Sequence, residues 1–256
     1  MKILDRFRFA YQNGLRFTFF RIFARLFYSK YRLRYNSMDW VSNADFNAYL
    51  KSIDEPGGIN SGRRWMVYQL LRLSYSVPGD TAECGVYRGA GSYLICTHTA
   101  AFELKKTHHI FDSFEGLSKP VTVDGTHWRE HDLTAGVDVV KQRLARFPNV
   151  EYYPGWIPTR FSAVEDRQFS FVHIDVDIYE PTKDSIEFFY SRMNKGAILL
   201  CDDYGFDSCP GATKAIDEFL KDKPEKAIAL TDGGGFFIKG LEVAPSFPIM
   251  PGARQS

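Results

Sequence analysis

The sequence predicts an α/β fold: a mostly parallel, seven-stranded sheet with helices on both faces and a C-terminal β-hairpin. Three observations carry this. From residue 80 onward, apolar runs of strand length alternate with amphipathic stretches of helix length. Several of those runs are continuously apolar, as strands covered on both faces are. The last two runs are joined by Asp232-Gly233-Gly234 with no helix between them, which makes a hairpin and one antiparallel strand.

The elements follow in order. Residues 1–37 carry nine Lys/Arg against Asp5 alone, whereas the remainder holds 23 basic and 30 acidic side chains. Within that segment Leu15, Phe19, Ile22, Phe23, Leu26 and Phe27 recur at helical spacing, interleaved with Arg16, Arg21, Arg25, Lys30, Arg32 and Arg34. Two readings stand: a helix on an anionic membrane surface, or one packing its aromatic side on the main domain or on a second subunit of a homo-oligomer. Residues 38–60, with Glu55-Pro56-Gly57-Gly58, read as a linker with one short helix around Ala44–Lys51.

Residues 61–256 form the main domain. It opens with a helix over Arg64–Tyr75 that Pro78-Gly79 ends. Strands are expected at Thr81–Val86, His109–Asp112, Val150–Tyr153, Phe169–Asp175, Ala197–Cys201, Ala227–Leu230 and Gly235–Lys239. Helices are expected at Gly91–Lys105, Val137–Arg146, Thr182–Met193 and Gly211–Lys221. Right-handed crossovers put the strand C-termini along one edge, where ligands bind.

The bulk numbers exclude some classes. A net charge of +1 gives no argument for nucleic acid. Charges in MKILDRFRF break any apolar signal core, and there is no run of about 18 uncharged apolar residues. The expected location is the cytoplasm, with peripheral contact at the inner membrane face where residues 1–37 act as a surface helix. Cys84, Cys96, Cys201 and Cys209 form no CxxC pair and read as small buried thiols; a zinc site from Cys201 and Cys209 lacks further ligands at metal spacing.

The first strand runs into Glu83-Cys84-Gly85-Val86-Tyr87-Arg88-Gly89-Ala90-Gly91. Glycines at 85, 89 and 91 allow a sharp turn and close approach to a ligand at a helix N-terminus. Their spacing is GxxxGxG, not the dinucleotide GxGxxG, and Glu83 would repel a pyrophosphate while tolerating the cationic S-adenosylmethionine. The second strand ends in Asp112-Ser113-Phe114, where an acid can accept hydrogen bonds from ribose hydroxyls.

Two further apolar strands end in acids: His173-Ile174-Asp175-Val176-Asp177, and Cys201-Asp202-Asp203. If these strands are neighbours, their tips lie about 5 Å apart, and Asp175, Asp202 and Asp203 converge. Such a set repels itself unless a hard cation joins it, and oxygen donors suit Mg²⁺ or Mn²⁺; helix capping could account for one or two of the three. A carboxylate also lies roughly 12 pKa units below an alcohol, about 16 kcal/mol for full proton transfer, which a metal at the acceptor oxygen would reduce.

The segments AECGVYRGAG, FDSFEGL, FPNVEYYPGWIP, HIDVDIYEPTKDSIEFFY and CDDYGFDSCPGATKAIDEF resemble the macrocin O-methyltransferase family, in matching order over residues 58–239. The resemblance implies a Rossmann-like class I methyltransferase fold, S-adenosyl-L-methionine as donor, Mg²⁺ dependence and a sugar or glycoconjugate hydroxyl as acceptor. It implies metal ligation by Asp175, Asp202 and Asp203, with Asp175 also the base. It implies cofactor contacts from Glu83, Gly85, Asp112 and Ser113, with Tyr87 and Phe114 beside them, and a mobile lid over Thr126–Thr134. Asp177, His173, His127 and His131 are alternative proton acceptors. The rival functions are a catechol-type O-methyltransferase and a non-catalytic membrane-surface scaffold.

Overall fold

The computed structural model describes residues 19, 22, 23, 40, 43–53, 60–231 and 233–244. Most of the basic segment 1–37, the Glu55–Gly58 turn and Asp232 lie outside the described residues. The chain divides into two compact units, Met1–Gly62 and Arg63–Ser256. In the first, helix α1 (Ala44–Ser52) is capped by Asn43, whose side chain accepts from the Phe46 amide at 2.8 Å. Helix α2 spans Ser61–Leu73 and from Arg63 onward belongs to the second unit.

The second unit carries a seven-stranded sheet in the order β3-β2-β1-β4-β5-β7-β6. Its strands are β1 (Asp80–Cys84), β2 (His108–Asp112), β3 (Val150–Pro154), β4 (Phe169–Ile174), β5 (Met193–Cys201), β6 (Ile228–Ala229) and β7 (Gly235–Ile238). The first five are parallel, and β7 runs antiparallel to both β5 and β6. The expected sheet and hairpin are therefore both present. Between the strands lie helices α3 (Ala90–Ala101), α4 (Val137–Leu144), α5 (Tyr179–Tyr190) and α6 (Pro210–Leu220).

Alternation along the strands separates two cores. Phe111 points into the larger one, with α5 and α6, while its neighbour Ile110 packs with Val140 and Leu144 of α4 on the other face. Buried residues Thr182, Ser185, Ile186 and Phe189 of α5, and Ala212, Ala215, Ile216 and Leu220 of α6, recur at helical spacing. Phe111, Phe161 and Phe169 all pack edge-on around Phe189. Helix α5 starts at Tyr179, earlier than the expected Thr182, because Pro181 sits in its first turn, where its missing N–H costs nothing. Buried Asp124 accepts from the otherwise orphaned Tyr179 amide at 2.7 Å.

All four cysteines are free and buried. Among the described residues no helix is long and apolar enough to cross a membrane.

Candidate active site

The pairing register decides which side chains meet. Ile174 pairs with Cys201, so β4 and β5 end side by side, and Asp175 and Asp202 leave adjacent tips. Cys84 pairs with Phe111 and with Ile174, which brings the glycine loop and the β2 tip to the same edge. A cleft opens there, with about 560 Å³ of empty space counting its mouth, in the range of small-molecule sites. Gly85, Tyr87, Asp112, Ser113, Asp175 and Asp177 contribute to its wall; Phe111, Leu117, Trp156 and Ile157 supply apolar surface.

Of the expected cofactor residues, Gly85, Tyr87, Asp112 and Ser113 line this cleft, and Glu83 and Phe114 do not. Asp112 accepts from the Val86 amide at 2.7 Å and the Phe114 amide at 2.6 Å. A carboxylate has about four acceptor positions, so two remain for a diol. Burial raises its pKa above the ordinary carboxylate value, against the pull of those amides. Ser113 is committed to its own turn, donating to the Gly116 carbonyl at 2.8 Å and accepting from the Glu115 amide at 3.0 Å. Phe114 packs into the α4-side core.

Glu83 is 1% exposed and turned beneath the loop rather than into the cleft. It accepts from Ser92 Oγ, and its Oε1 lies 2.7 Å from His173 Nδ1. Burial would raise its pKa, but the neighbouring His108 and the hydrogen-bonded His173 hold it down at about 2. The glycines are explained by the same packing. A Cβ on Gly91 would strike Glu83 Oε1, and one on Gly85, at φ +77°, would strike the Asp175 carbonyl. These two close approaches are within the chain itself.

The three acids assigned to the metal meet around one atom, Nη2 of Arg63 on α2. It pairs closely with Asp202 Oδ2 and lies 3.5 Å from Asp203 Oδ1 and 3.6 Å from Asp175 Oδ1. Arg64 Nη1 adds a second cation, 3.6 Å from Asp175 Oδ2 and 3.8 Å from Asp202 Oδ2. Sequence reasoning missed both arginines. The guanidinium is a stand-in ion: it shows that this donor set gathers positive charge, and its hard oxygens fit Mg²⁺.

The acids respond to their crowding. Burial and the Asp202 charge push Asp175 up to about 6, against the opposing arginines. Burial and the Asp175 charge push Asp177 up to about 7. Asp203 is raised by burial and by Asp177 and Asp175, whereas Arg63 and His173 overcome burial to hold Asp202 far below the usual range. Donor atoms close enough to share one ion group as His173–Asp175–Asp202 and as Asp177–Asp203–Cys209, so the expected set is divided: Asp175 and Asp202 stay together, and Asp203 falls with Asp177. Asp177, held at φ +63°, donates its amide to Asp203 Oδ2 at 2.8 Å.

The segment expected as a lid is tied to its neighbours. Trp128 Nε1 donates to Cys209 Sγ at 3.3 Å, the His131 amide donates to the Leu117 carbonyl at 2.8 Å, and Leu133 reaches the cleft wall. His127 and His131 are not part of that wall.

An open, mostly parallel sheet with an antiparallel terminal hairpin and a cleft at the carboxyl tips of β1, β2 and β4 defines a Rossmann-like protein with a small-molecule site at the strand ends. A model of the Macrocin-O-methyltransferase (TylF) family matches residues 71–237, and the chain belongs to that family. It is 28% identical over 187 residues, 68% of each chain, to 8-demethyl-8-(2,3-dimethoxy-alpha-L-rhamnosyl)-tetracenomycin-C 4'-O-methyltransferase of Streptomyces olivaceus. It is 26% identical over 208 residues, 75% of this chain and 74% of the relative, to demethyldecarbamoylnovobiocin O-methyltransferase of Streptomyces niveus. The solved O-methyltransferase NovP superposes with a TM-score of 0.59 at 25% identity, over 69% of this chain and 79% of that one. A calicheamicin methyltransferase shares the fold, with a TM-score of 0.62 at 17% identity over 76% and 91% of the two chains. The protein is thus a methyltransferase enzyme, and its family implies S-adenosylmethionine as the donor.

Proposed function

We propose that the protein transfers a methyl group from S-adenosylmethionine to a hydroxyl of a sugar or glycoconjugate, with Mg²⁺ at Asp175, Asp202 and Asp203. One observation carries the reading: three carboxylates from two adjacent strand tips surround a single cation position beside the cleft. The Streptomyces olivaceus relative, named for a rhamnosyl-bearing substrate, supports the acceptor class.

Asp112 would hold the ribose hydroxyls, and Gly85 and Tyr87 would border the methionine portion of the donor. Leu117, Trp156 and Ile157 shield the cleft from water. A divalent cation would supply Lewis-acid stabilisation of the acceptor oxygen. Asp175 faces both the cleft and the cation position and takes the acceptor's proton; Asp177 lines the same wall and is the alternative. Much of the acceleration comes from holding donor and acceptor in line.

The test is methyl transfer followed by mass spectrometry, with nucleotide sugars, glycosylated antibiotics, lipid-linked glycans and catechols as acceptors. Turnover on a sugar hydroxyl that EDTA abolishes and Mg²⁺ restores is the expected result. Turnover on catechols alone, or unaffected by EDTA, refutes the acceptor or the metal assignment respectively. Failure to bind S-adenosylmethionine would leave the scaffold reading. The basic residues 1–37 favour a membrane-linked glycan, which co-sedimentation with anionic vesicles tests directly.

A further inference from the structure

Beneath the glycine loop runs a chain of buried polar groups that the reaction itself does not use. The strand register builds it. Glu83 of β1 pairs with His173 of β4, and Thr81 pairs with His108 of β2, so these side chains stand next to one another on the face opposite Ala82, Cys84 and Ile174. Ser92, in the first turn of α3, packs down onto them: its Oγ donates to Glu83 Oε2 and lies 3.0 Å from His108 Nε2. His108 Nδ1 is 2.9 Å from Thr81 Oγ1.

His173 continues the chain toward the strand tips. Its ring is wholly buried, with Nδ1 2.7 Å from Glu83 Oε1 and Nε2 3.5 Å from Asp202 Oδ1. At that distance Nε2 has no well-formed hydrogen bond, and it is a buried nitrogen aimed into the acidic cluster. The other oxygen of Asp202, Oδ2, is the one that grips the Arg63 cation. Asp202 therefore has one oxygen toward His173 and one toward the cation position.

We propose that His173 is a positioning residue that links the donor loop to the metal acids through Glu83–His173–Asp202, so that donor binding and metal binding strengthen each other. The proposal rests on the metal reading above. Settling of the loop on a donor fixes α3 and, through Ser92, the Glu83 carboxylate. Glu83 fixes the imidazole, and the imidazole, 3.5 Å from Asp202 Oδ1, biases the rotation of that carboxylate and closes to a hydrogen bond when the oxygen turns toward it. Orientation of a ligating carboxylate by a buried partner of this kind is worth about 10- to 100-fold in metal affinity. Reciprocity requires the metal to tighten the donor by the same factor that the donor tightens the metal.

The experiment uses the full chain, Mn²⁺ as the metal and S-adenosylhomocysteine as the donor-site probe, with both affinities from calorimetry. In the unaltered protein, saturating S-adenosylhomocysteine should tighten Mn²⁺ at least about fivefold. His173→Asn should weaken Mn²⁺ about tenfold and abolish the coupling. His173→Gln, whose longer side chain can still present an amide to Asp202, should restore part of the affinity. Circular dichroism checks that both variants fold. Absence of coupling in the unaltered protein overturns the proposal without any variant, as does coupling that survives intact in a folded His173→Asn. Electron spin-echo spectroscopy of bound Mn²⁺ should show no directly ligated nitrogen; a ligated ¹⁴N would make His173 a ligand and end its role as a positioning residue. Failure of the unaltered protein to take up Mn²⁺ overturns the metal reading as well, whereas Mn²⁺ binding without coupling overturns only the link.

Discussion

The two halves of the sheet's carboxyl edge carry acids in opposite conditions. At the tips of β1 and β2, Glu83 and Asp112 are supplied with donors by the fold: Ser92 and His173 for one, the Val86 and Phe114 amides for the other. At the tips of β4 and β5, Asp175, Asp177, Asp202 and Asp203 crowd together, and the chain answers them with Arg63, Arg64 and His173. The first half needs no outside charge to be stable; its work is shape and hydrogen bonding. The second holds four acids against three basic groups and keeps several of its carboxyls partly protonated, and a divalent ion would favour their ionised forms.

The largest expected effect probes the second half. Asp175→Asn keeps the volume and removes the charge facing both the cleft and the cation position, so turnover should fall on the order of 10³-fold or more. Thermal unfolding should be little changed or raised, because a carboxylate whose pKa sits near 6 is already disfavoured in its charged form. Unchanged turnover would transfer the proton to Asp177, and Asp177→Asn would then carry the loss.

The pH dependence should come next in size. Asp175 at about 6 and Asp177 at about 7 hold protons in the metal-free protein that a cation must displace. Mn²⁺ affinity should therefore climb through pH 5.5–7.5, by up to about tenfold per unit at its steepest, and Asp203, also raised well above the usual carboxylate range, should extend the rise. The sign for stability is the reverse. A carboxyl group whose folded pKa lies above its unfolded value binds more protons in the folded state, so metal-free stability falls as pH rises from about 4 to 7. Saturating Mn²⁺ should flatten that decline. Melting curves across the range, with and without Mn²⁺, check both statements.

Arg63→Gln should act more modestly and in two directions. The metal-free protein loses its internal counter-ion and should melt several degrees lower. Mn²⁺ no longer competes with the guanidinium and should bind about tenfold more tightly, an estimate from removing one like charge at close range. Weaker Mn²⁺ binding in the variant would instead place Arg63 beside the loaded metal as a supporting contact.

The sequence makes the second half easier to read than the first. Two apolar strands joined by one helix are usually neighbours, so bringing the tips that carry Asp175, Asp202 and Asp203 together needs only that one condition, which the β4–β5 pairing meets. The counter-ions do not: Arg63 and Arg64 lie more than a hundred residues from their partners, and a basic pair on an amphipathic helix looks like a solvated face. Glu83 misleads because it stands next to the glycine loop, although strand parity with Ala82 and Cys84 sends it to the α3 side. The glycines mislead for a related reason: 85 and 91 make room for Asp175 and Glu83, atoms that come close only after folding.

The smallest expected effect belongs to the self-sufficient half. Asp112 serves the Val86 amide with one carboxylate oxygen and the Phe114 amide with the other. Asparagine keeps a single acceptor oxygen, so Asp112→Asn leaves one of those amides facing an NH₂ group and offers a diol fewer acceptor positions. The loop has other anchors, among them the Gly85 amide donating to the Phe111 carbonyl at 2.9 Å, and should hold its course. S-adenosylhomocysteine should therefore bind about five- to tenfold more weakly, the size of one ordinary hydrogen bond. Mn²⁺ affinity in the absence of S-adenosylhomocysteine should not move, because Asp112 belongs to the half that makes no claim on the cation. Calorimetry with each ligand alone separates the two. A variant that weakens both equally would show that the halves are a single electrostatic unit, and the contrast between them would be lost.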